Sequence, residues 1–255
     1  MKTMKLLLLP AMLSCLMAFS ACSEKEKTEG DSPSNGQKLE KFTRFEEGYS
    51  SKTRVSEMTW DGNLLKSYQK TYPNRGDVTR FDFNYNGSKL SNIQYYKDGS
   101  LHYTYNCSYS GDRLTGVAYT TSSGTKNYTI TYNSNGEIAT VTREGRWTCN
   151  LTWQNGNVTQ IQYVQNDQSS TYSYTYDNKI SSYTGMSVMI FTQLDEIADG
   201  GAELLSKNNV LTEQHSDDTK TYTYTYDGDY PLTCTRGISS YYFKYIGKPD
   251  PAPAI

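Results

Sequence analysis

A short unit that recurs about every 23 residues constrains this chain more than any other feature. In each unit an aromatic residue enters a turn of Asp, Asn, Ser and Gly, and an aliphatic residue leaves it. The series runs Trp60-Asp61-Gly62-Asn63-Leu64, Tyr85-Asn86-Gly87-Ser88-Lys89-Leu90, Tyr109-Ser110-Gly111-Asp112-Arg113-Leu114 and Tyr132-Asn133-Ser134-Asn135-Gly136-Glu137-Ile138. It continues with Trp153-Gln154-Asn155-Gly156-Asn157-Val158, Tyr176-Asp177-Asn178-Lys179-Ile180 and Tyr226-Asp227-Gly228-Asp229-Tyr230-Pro231-Leu232. The entry aromatics stand 25, 24, 23, 21, 23 and 50 residues apart, the last being about two periods. One period holds two strands, a tight turn and a return loop, which is one hairpin.

The residues before each turn alternate as strands do. Tyr103, Tyr105, Cys107 and Tyr109, or Tyr222, Tyr224 and Tyr226, interleave with Thr, Ser or Asn, so the aromatics share one face and the small polar residues the other. After the turn the apolar positions step by three and then by two, as in Leu90, Ile93 and Tyr95, which predicts a residue still in the turn or a bulge, then a regular strand. Leu39 and Phe42 open the series and residues 241–246 close it. The expected fold is all-β: an antiparallel up-and-down meander of about 14–16 strands, closed into a barrel or strongly curved, with a short helical insertion. The polar face carries Thr129, Thr131, Ser173, Thr175, Thr223 and Thr225, which suits water rather than lipid tails. Tyr supplies 24 residues against seven Phe and three Trp, and long inward tyrosines would help to fill so wide a lumen.

Ahead of the repeats lies a processing segment. Lys2 and Lys5 precede an apolar stretch, and Phe19-Ser20-Ala21-Cys22 ends in small residues and a cysteine. This resembles a bacterial lipoprotein signal, which implies cleavage of residues 1–21 and acylation of Cys22. Without those residues the chain has 23 basic and 27 acidic side chains, a balance of −4, and no basic patch for nucleic acid. Residues 22–37 read as a flexible lipidated tether, and Glu24-Lys25-Glu26 resembles the surface-export signal of Bacteroidetes lipoproteins. The expected location is the outer membrane, anchored by N-terminal acyl chains and facing the cell surface, with the periplasmic face as the alternative. A single domain over 38–247 and a Pro-rich tail over 248–255 complete the organisation. The repeat units, with Ser206-Lys207-Asn208-Asn209 and Tyr226-Asp227-Gly228-Asp229-Tyr230-Pro231, are similar to those of a Bacteroidetes lipoprotein family of unknown function with a porin-like fold, and more distantly to the YD repeats of Rhs-type proteins. That resemblance implies a fold and a compartment and no reaction.

One segment breaks the period, an insertion over 185–212. Phe191, Leu194, Ile197 and Ala198 lie at helical spacing, Thr192 is placed to cap that turn, and Gly200-Gly201 to stop it. The segment is expected at the end opposite the entry turns, as a lid over the open end or as the wall of a ligand pocket. Phe191 and Leu194 would then be the apolar walls. In the pairs Tyr95-Tyr96 and Tyr241-Tyr242 one member must face outward, and Tyr96 and Tyr242 are the candidate outer contacts.

Catalytic constellations are thin. His102 and His215 are the only histidines and have no metal-ligand spacing, while most aspartates serve turns. No catalytic residue, metal or cofactor is expected. Cys107, Cys149 and Cys234 fall in phase with core positions and read as buried thiols. Two readings follow: a noncatalytic protein that binds a glycan or other nutrient, or a structural or adhesive envelope protein without a small ligand.

Overall fold

In the computed structural model, residues 38–253 are described, apart from 122 and 199. The signal segment, Cys22 and the tether lie outside the described residues. Sixteen strands form one closed barrel in which each strand pairs antiparallel with its neighbours in sequence, and the first pairs with the last. The strands are β1 Leu39–Glu46, β2 Arg54–Asp61, β3 Leu64–Tyr72, β4 Asp77–Asn86, β5 Lys89–Lys97, β6 Ser100–Ser110, β7 Arg113–Thr121 and β8 Gly124–Tyr132. Then come β9 Ile138–Arg143, β10 Trp147–Gln154, β11 Asn157–Gln165, β12 Gln168–Ile180, β13 Asn208–His215, β14 Asp218–Asp227, β15 Tyr230–Arg236 and β16 Ser239–Tyr245. Closure leaves no unpaired edge, the usual liability of a long meander.

The alternation read from the sequence sets the two faces. Tyr68, Tyr105, Tyr128, Tyr174 and Tyr222 point inward and are buried together with Ile93, Val117, Ile130, Val141 and Ile161. Outside, threonines bond across strands: Thr131 to Thr140 at 2.7 Å, Thr175 to Thr212 at 2.6 Å and Thr225 to Thr233 at 2.7 Å. A lipid-facing belt would need apolar residues at these positions. The large apolar side chains exposed among the described residues are Tyr49, Leu101, Ile238 and Ile246, which stand in or beside the connections.

Each repeat unit carries a bulge, the second of the two arrangements that the apolar spacing allows. The register shifts directly before Trp60, Tyr85, Tyr109, Tyr132, Trp153, Tyr176 and Tyr226. The residues opposite are Leu65, Leu90, Leu114, Ile138, Val158, Val210 and Pro231, so Leu65 and Pro231 take the inward places that the repeat assigned to Leu64 and Leu232. The bulge frees a backbone carbonyl, and the next hairpin's entry aromatic donates to it. Tyr85 bonds the carbonyl of Leu65 at 3.1 Å, Tyr109 that of Leu90 at 3.0 Å, Tyr132 that of Leu114 at 2.7 Å, and the Trp153 indole that of Ile138 at 2.7 Å. The repeat therefore encodes a staple from each hairpin to the one before it. In the β10–β11 turn Asn155 (φ 53°) and Gly156 (φ 74°) both adopt the left-handed conformation that a type I′ hairpin demands.

The sixth unit departs from this pattern. Tyr176-Asp177-Asn178-Lys179-Ile180 is not a turn; β12 runs through it to Ile180, and the chain leaves for the insertion from there. The excursion, residues 181–207, therefore starts and ends at the same rim as the entry turns, which corrects the expectation that it replaces a return loop at the opposite end. Asp177 explains the difference. Its carboxylate accepts the backbone N–H groups of Lys179 and Asn209 at 3.0 Å each, and the hydroxyl of Tyr226. Asn209 bonds the carbonyl of Ile180 at 3.0 Å and accepts the N–H of Ser182 at 3.0 Å, so both ends of the excursion are tied at one point.

From that root the excursion fills the lumen. A sixteen-stranded barrel is too wide for ordinary side chains to close, and this chain supplies a plug from its own sequence. Met186, Met189, Ile190, Leu194, Ile197 and Ala202 are all at most 3% exposed. These apolar residues pack the segment against the barrel wall, and its polar residues gather on one side. Two 3₁₀ turns, Ser187–Thr192 and Leu194–Glu196, precede the helix α1, Gly201–Leu205. Thr192 does not cap a helix; it ends the first turn and donates to the carbonyl of Met189 at 2.8 Å. Gly200 (φ 117°) redirects the chain and Gly201 begins α1 rather than stopping a helix. A Cβ at Gly201 would meet Ile197 at 2.8 Å and Ile190 at 3.3 Å, so the plug's two halves touch where a side chain does not fit.

Candidate functional site: an aromatic cavity under the plug

The plug leaves a cavity of about 550 Å³ on its far side, toward the end where the return loops lie. Aromatic rings from successive strands form a girdle around it. Phe42 packs on Tyr68 with centroids 6.3 Å apart, Tyr68 on Phe81 at 6.3 Å, Phe81 on Tyr95 at 4.9 Å, and Tyr95 stacks on Tyr103 at 4.5 Å. The chain of rings goes on through Tyr119 to Tyr128. Period 2 on β1 and on β3 to β8 turns these residues inward toward the same space. Burial pushes the Tyr95 and Tyr103 hydroxyls above the ordinary tyrosine pKa, so they remain neutral donors.

The plug presents Leu194, Gln193, Asp195, Glu196 and Glu203 to the same space. Wall tyrosines hold it there: Tyr128 donates to Asp195 at 2.7 Å, Tyr174 to the carbonyl of Ala198 at 3.0 Å and Tyr105 to that of Thr192 at 3.4 Å. Asp195 also receives Lys126 at 2.6 Å and Arg143 at 3.1 Å. Burial alone would raise its carboxyl pKa. The hydrogen bonds from Lys126 and Tyr128, with the charges of Lys126 and Arg143, outweigh burial and hold it below the usual aspartate value. A depressed folded pKa stabilises the fold above the unfolded value, roughly pH 4. This contribution is lost as pH falls through the folded pKa. Asp195→Asn should therefore melt below wild type at pH 6, and the gap should narrow from about pH 4 downward. A gap independent of pH would show that the carboxylate's charge is not what ties the plug to β8 and β9.

The candidate residues separate on this frame. Leu194 lines the aromatic cavity. Phe191 does not; it faces the entry-turn rim and a second space of about 320 Å³ with Val188, Leu90, Leu114 and Tyr132. The two walls expected of one pocket therefore stand on opposite sides of the plug, because successive 3₁₀ turns carry them to different faces. Tyr96 and Tyr242 both lie on the outer face, as alternation requires, but on β5 and β16. Tyr96 lies under Arg80 at 4.5 Å and bonds Gln94 at 3.2 Å. Tyr242 meets Phe45 edge-on at 5.6 Å in an outer groove with Ile238 and Pro253. His102 packs near the Tyr95 ring and His215 stacks on Tyr172 at 4.1 Å, on separate strands. Cys107, Cys149 and Cys234 are free thiols, and burial pushes each pKa up to about 12.

Arg44, Arg54, Lys70 and Arg236 also line the cavity, and none of them is among the candidates that the sequence singles out. Alternation held the signal, since Arg44 follows the inward Phe42 by two and Arg236 follows the inward Cys234 by two.

No family model matches the chain, and no curated protein does. Among solved structures, a porin-like protein from Bacteroides uniformis ATCC 8492 is similar, with a TM-score of 0.56 and 14% identity over 81% of this chain and 97% of that one. A porin-like protein from Bacteroides vulgatus ATCC 8482 gives a TM-score of 0.39 at 10% identity, over 82% and 98% of the two chains, and carries no argument. At that identity the first of these speaks for the fold alone: the chain is a closed sixteen-stranded barrel similar to a porin-like Bacteroides structure.

Proposed function

We propose that this chain is a noncatalytic binding protein of a bacterial outer membrane, anchored through acyl chains on Cys22, displayed at the cell surface, and holding a saccharide in the aromatic cavity. The observation that carries the reading is the cavity: rings at 4.5–6.3 Å spacing line a space of about 550 Å³, within the size of small-molecule sites. Rings offer flat apolar faces for the C–H faces of sugars, and their hydroxyls offer donors. The outward threonines speak for a barrel in water, so the acyl chains rather than the strands would meet lipid. A purely architectural role accounts for the plug, whose apolar side chains are buried inside the barrel. It gives no reason for the aromatic wall to continue past the plug around an open space.

All sixteen strands lie within residues 38–253, so protein lacking residues 1–37 contains the whole barrel. Screening it on an oligosaccharide array should give a saccharide binder, and Tyr103→Ala should weaken that binding about tenfold through loss of one stacking face. Absence of any saccharide binding would overturn this reading in favour of the architectural one.

A further inference from the structure

Three adjacent strands add cations to the aromatic girdle. Arg44 on β1 and Arg54 on β2 are direct partners in the ladder, and Lys70 on β3 stands opposite Ser56. All three line the aromatic cavity. Like charges directly opposite weaken an antiparallel pair, so stability gives no reason for this arrangement. Existing partners account for only part of it. Arg44 bonds Glu46 at 2.9 Å and Ser239 at 3.2 Å, and Arg54 has the Tyr72 hydroxyl as a hydrogen-bond partner, whereas among the described residues no carboxylate lies within ion-pairing distance of Arg54 or Lys70. Arg54 lies over the Phe42 ring at 5.4 Å, and Lys70 lies over Tyr68 at 5.3 Å. The Nε atoms of both Arg44 and Arg54 are buried without a hydrogen-bond partner. Charged donors left so are costly unless an acceptor arrives.

We infer that the cavity selects an acidic saccharide, with the sugar ring on the aromatic girdle and its carboxylate received by Arg54 and Arg44. This deepens the saccharide reading and rests on it. A planar guanidinium matches the two oxygens of a carboxylate, and Lys70 adds a point charge beside them. The plug sets the direction. Glu196 repels an anion, and Asp195 is already neutralised by Lys126 and Arg143, so the acidic group turns toward β1–β3.

The test compares a panel of uronate oligosaccharides with their methyl esters by calorimetry on protein lacking residues 1–37. The esters keep the ring and remove only the charge. The acid forms should bind at least about tenfold tighter, the advantage should shrink as salt rises, and Arg54→Gln should abolish it. Equal or tighter binding of the esters overturns the acidic preference and leaves the saccharide reading standing. A preference that survives in folded Arg54→Gln overturns the assignment to this arginine pair. If neither form binds and the neutral array is also blank, both readings fall. Should Arg54→Gln fail to fold, the ester comparison on the unaltered protein decides alone.

Discussion

Replacing Ile190 by alanine should destabilise the barrel by about 3–4 kcal/mol, although Ile190 belongs to no strand. The side chain is 1% exposed, and it packs where the two halves of the plug meet. A buried isoleucine truncated in a site that cannot collapse costs roughly 2–5 kcal/mol, and a closed barrel wall cannot move inward to fill the space. For a domain of this size that is a fall of about 10 °C in melting temperature. Excising residues 186–205 should go further and abolish the cooperative transition, since the inward faces of many strands would then line a wet lumen. Thermal melts of both variants check this. A deletion that still melts cooperatively near the wild-type temperature would make the segment a cover rather than a core.

Filling the cavity gives the second large effect. Thr79 on β4 lines the aromatic space and takes no part in holding the plug. An indole there would occupy room the ligand needs, at a moderate cost in packing. Thr79→Trp should lower affinity for the saccharide found on the array about a hundredfold while the protein melts cooperatively. Unchanged affinity in that variant would move the ligand away from this cavity.

What the sequence discloses depends on how local the physics is. Strand phase, turn position and bulge are decided within a few residues, and Tyr85, Tyr109 and Tyr132 stand where the repeat places them. The strand number follows, because one period makes one hairpin. The excursion's root is harder, because Asp177-Asn178 has the chemistry of a turn. Only partners far along the chain, Asn209 and Tyr226, show that Asp177 holds two segments together. The inward position of the plug is not local either. It follows from the width of a sixteen-stranded barrel, and the repeat count already implied a lumen that needs filling. The separation of Phe191 from Leu194 is not legible, since the break between the two 3₁₀ turns at Gln193, which carries them to different faces, leaves no mark in the apolar spacing. The cations were legible in principle: Arg44 and Arg236 sit on the inward phase, and a charge on the phase of buried rings marks either an ion pair or a ligand.

The barrel is built around its own plug, with the aromatic cavity left beneath it, and amide hydrogen exchange over residues 186–206 reads this out. The amides of Met189, Gln193, Gly201 and Ser206 donate to carbonyls within the plug at 2.8–3.0 Å, deep inside the wall. They should exchange as slowly as the central amides of β10 and β11, through opening of the whole domain. Exchange within seconds, as for an exposed loop, would mean that the segment is not part of the core.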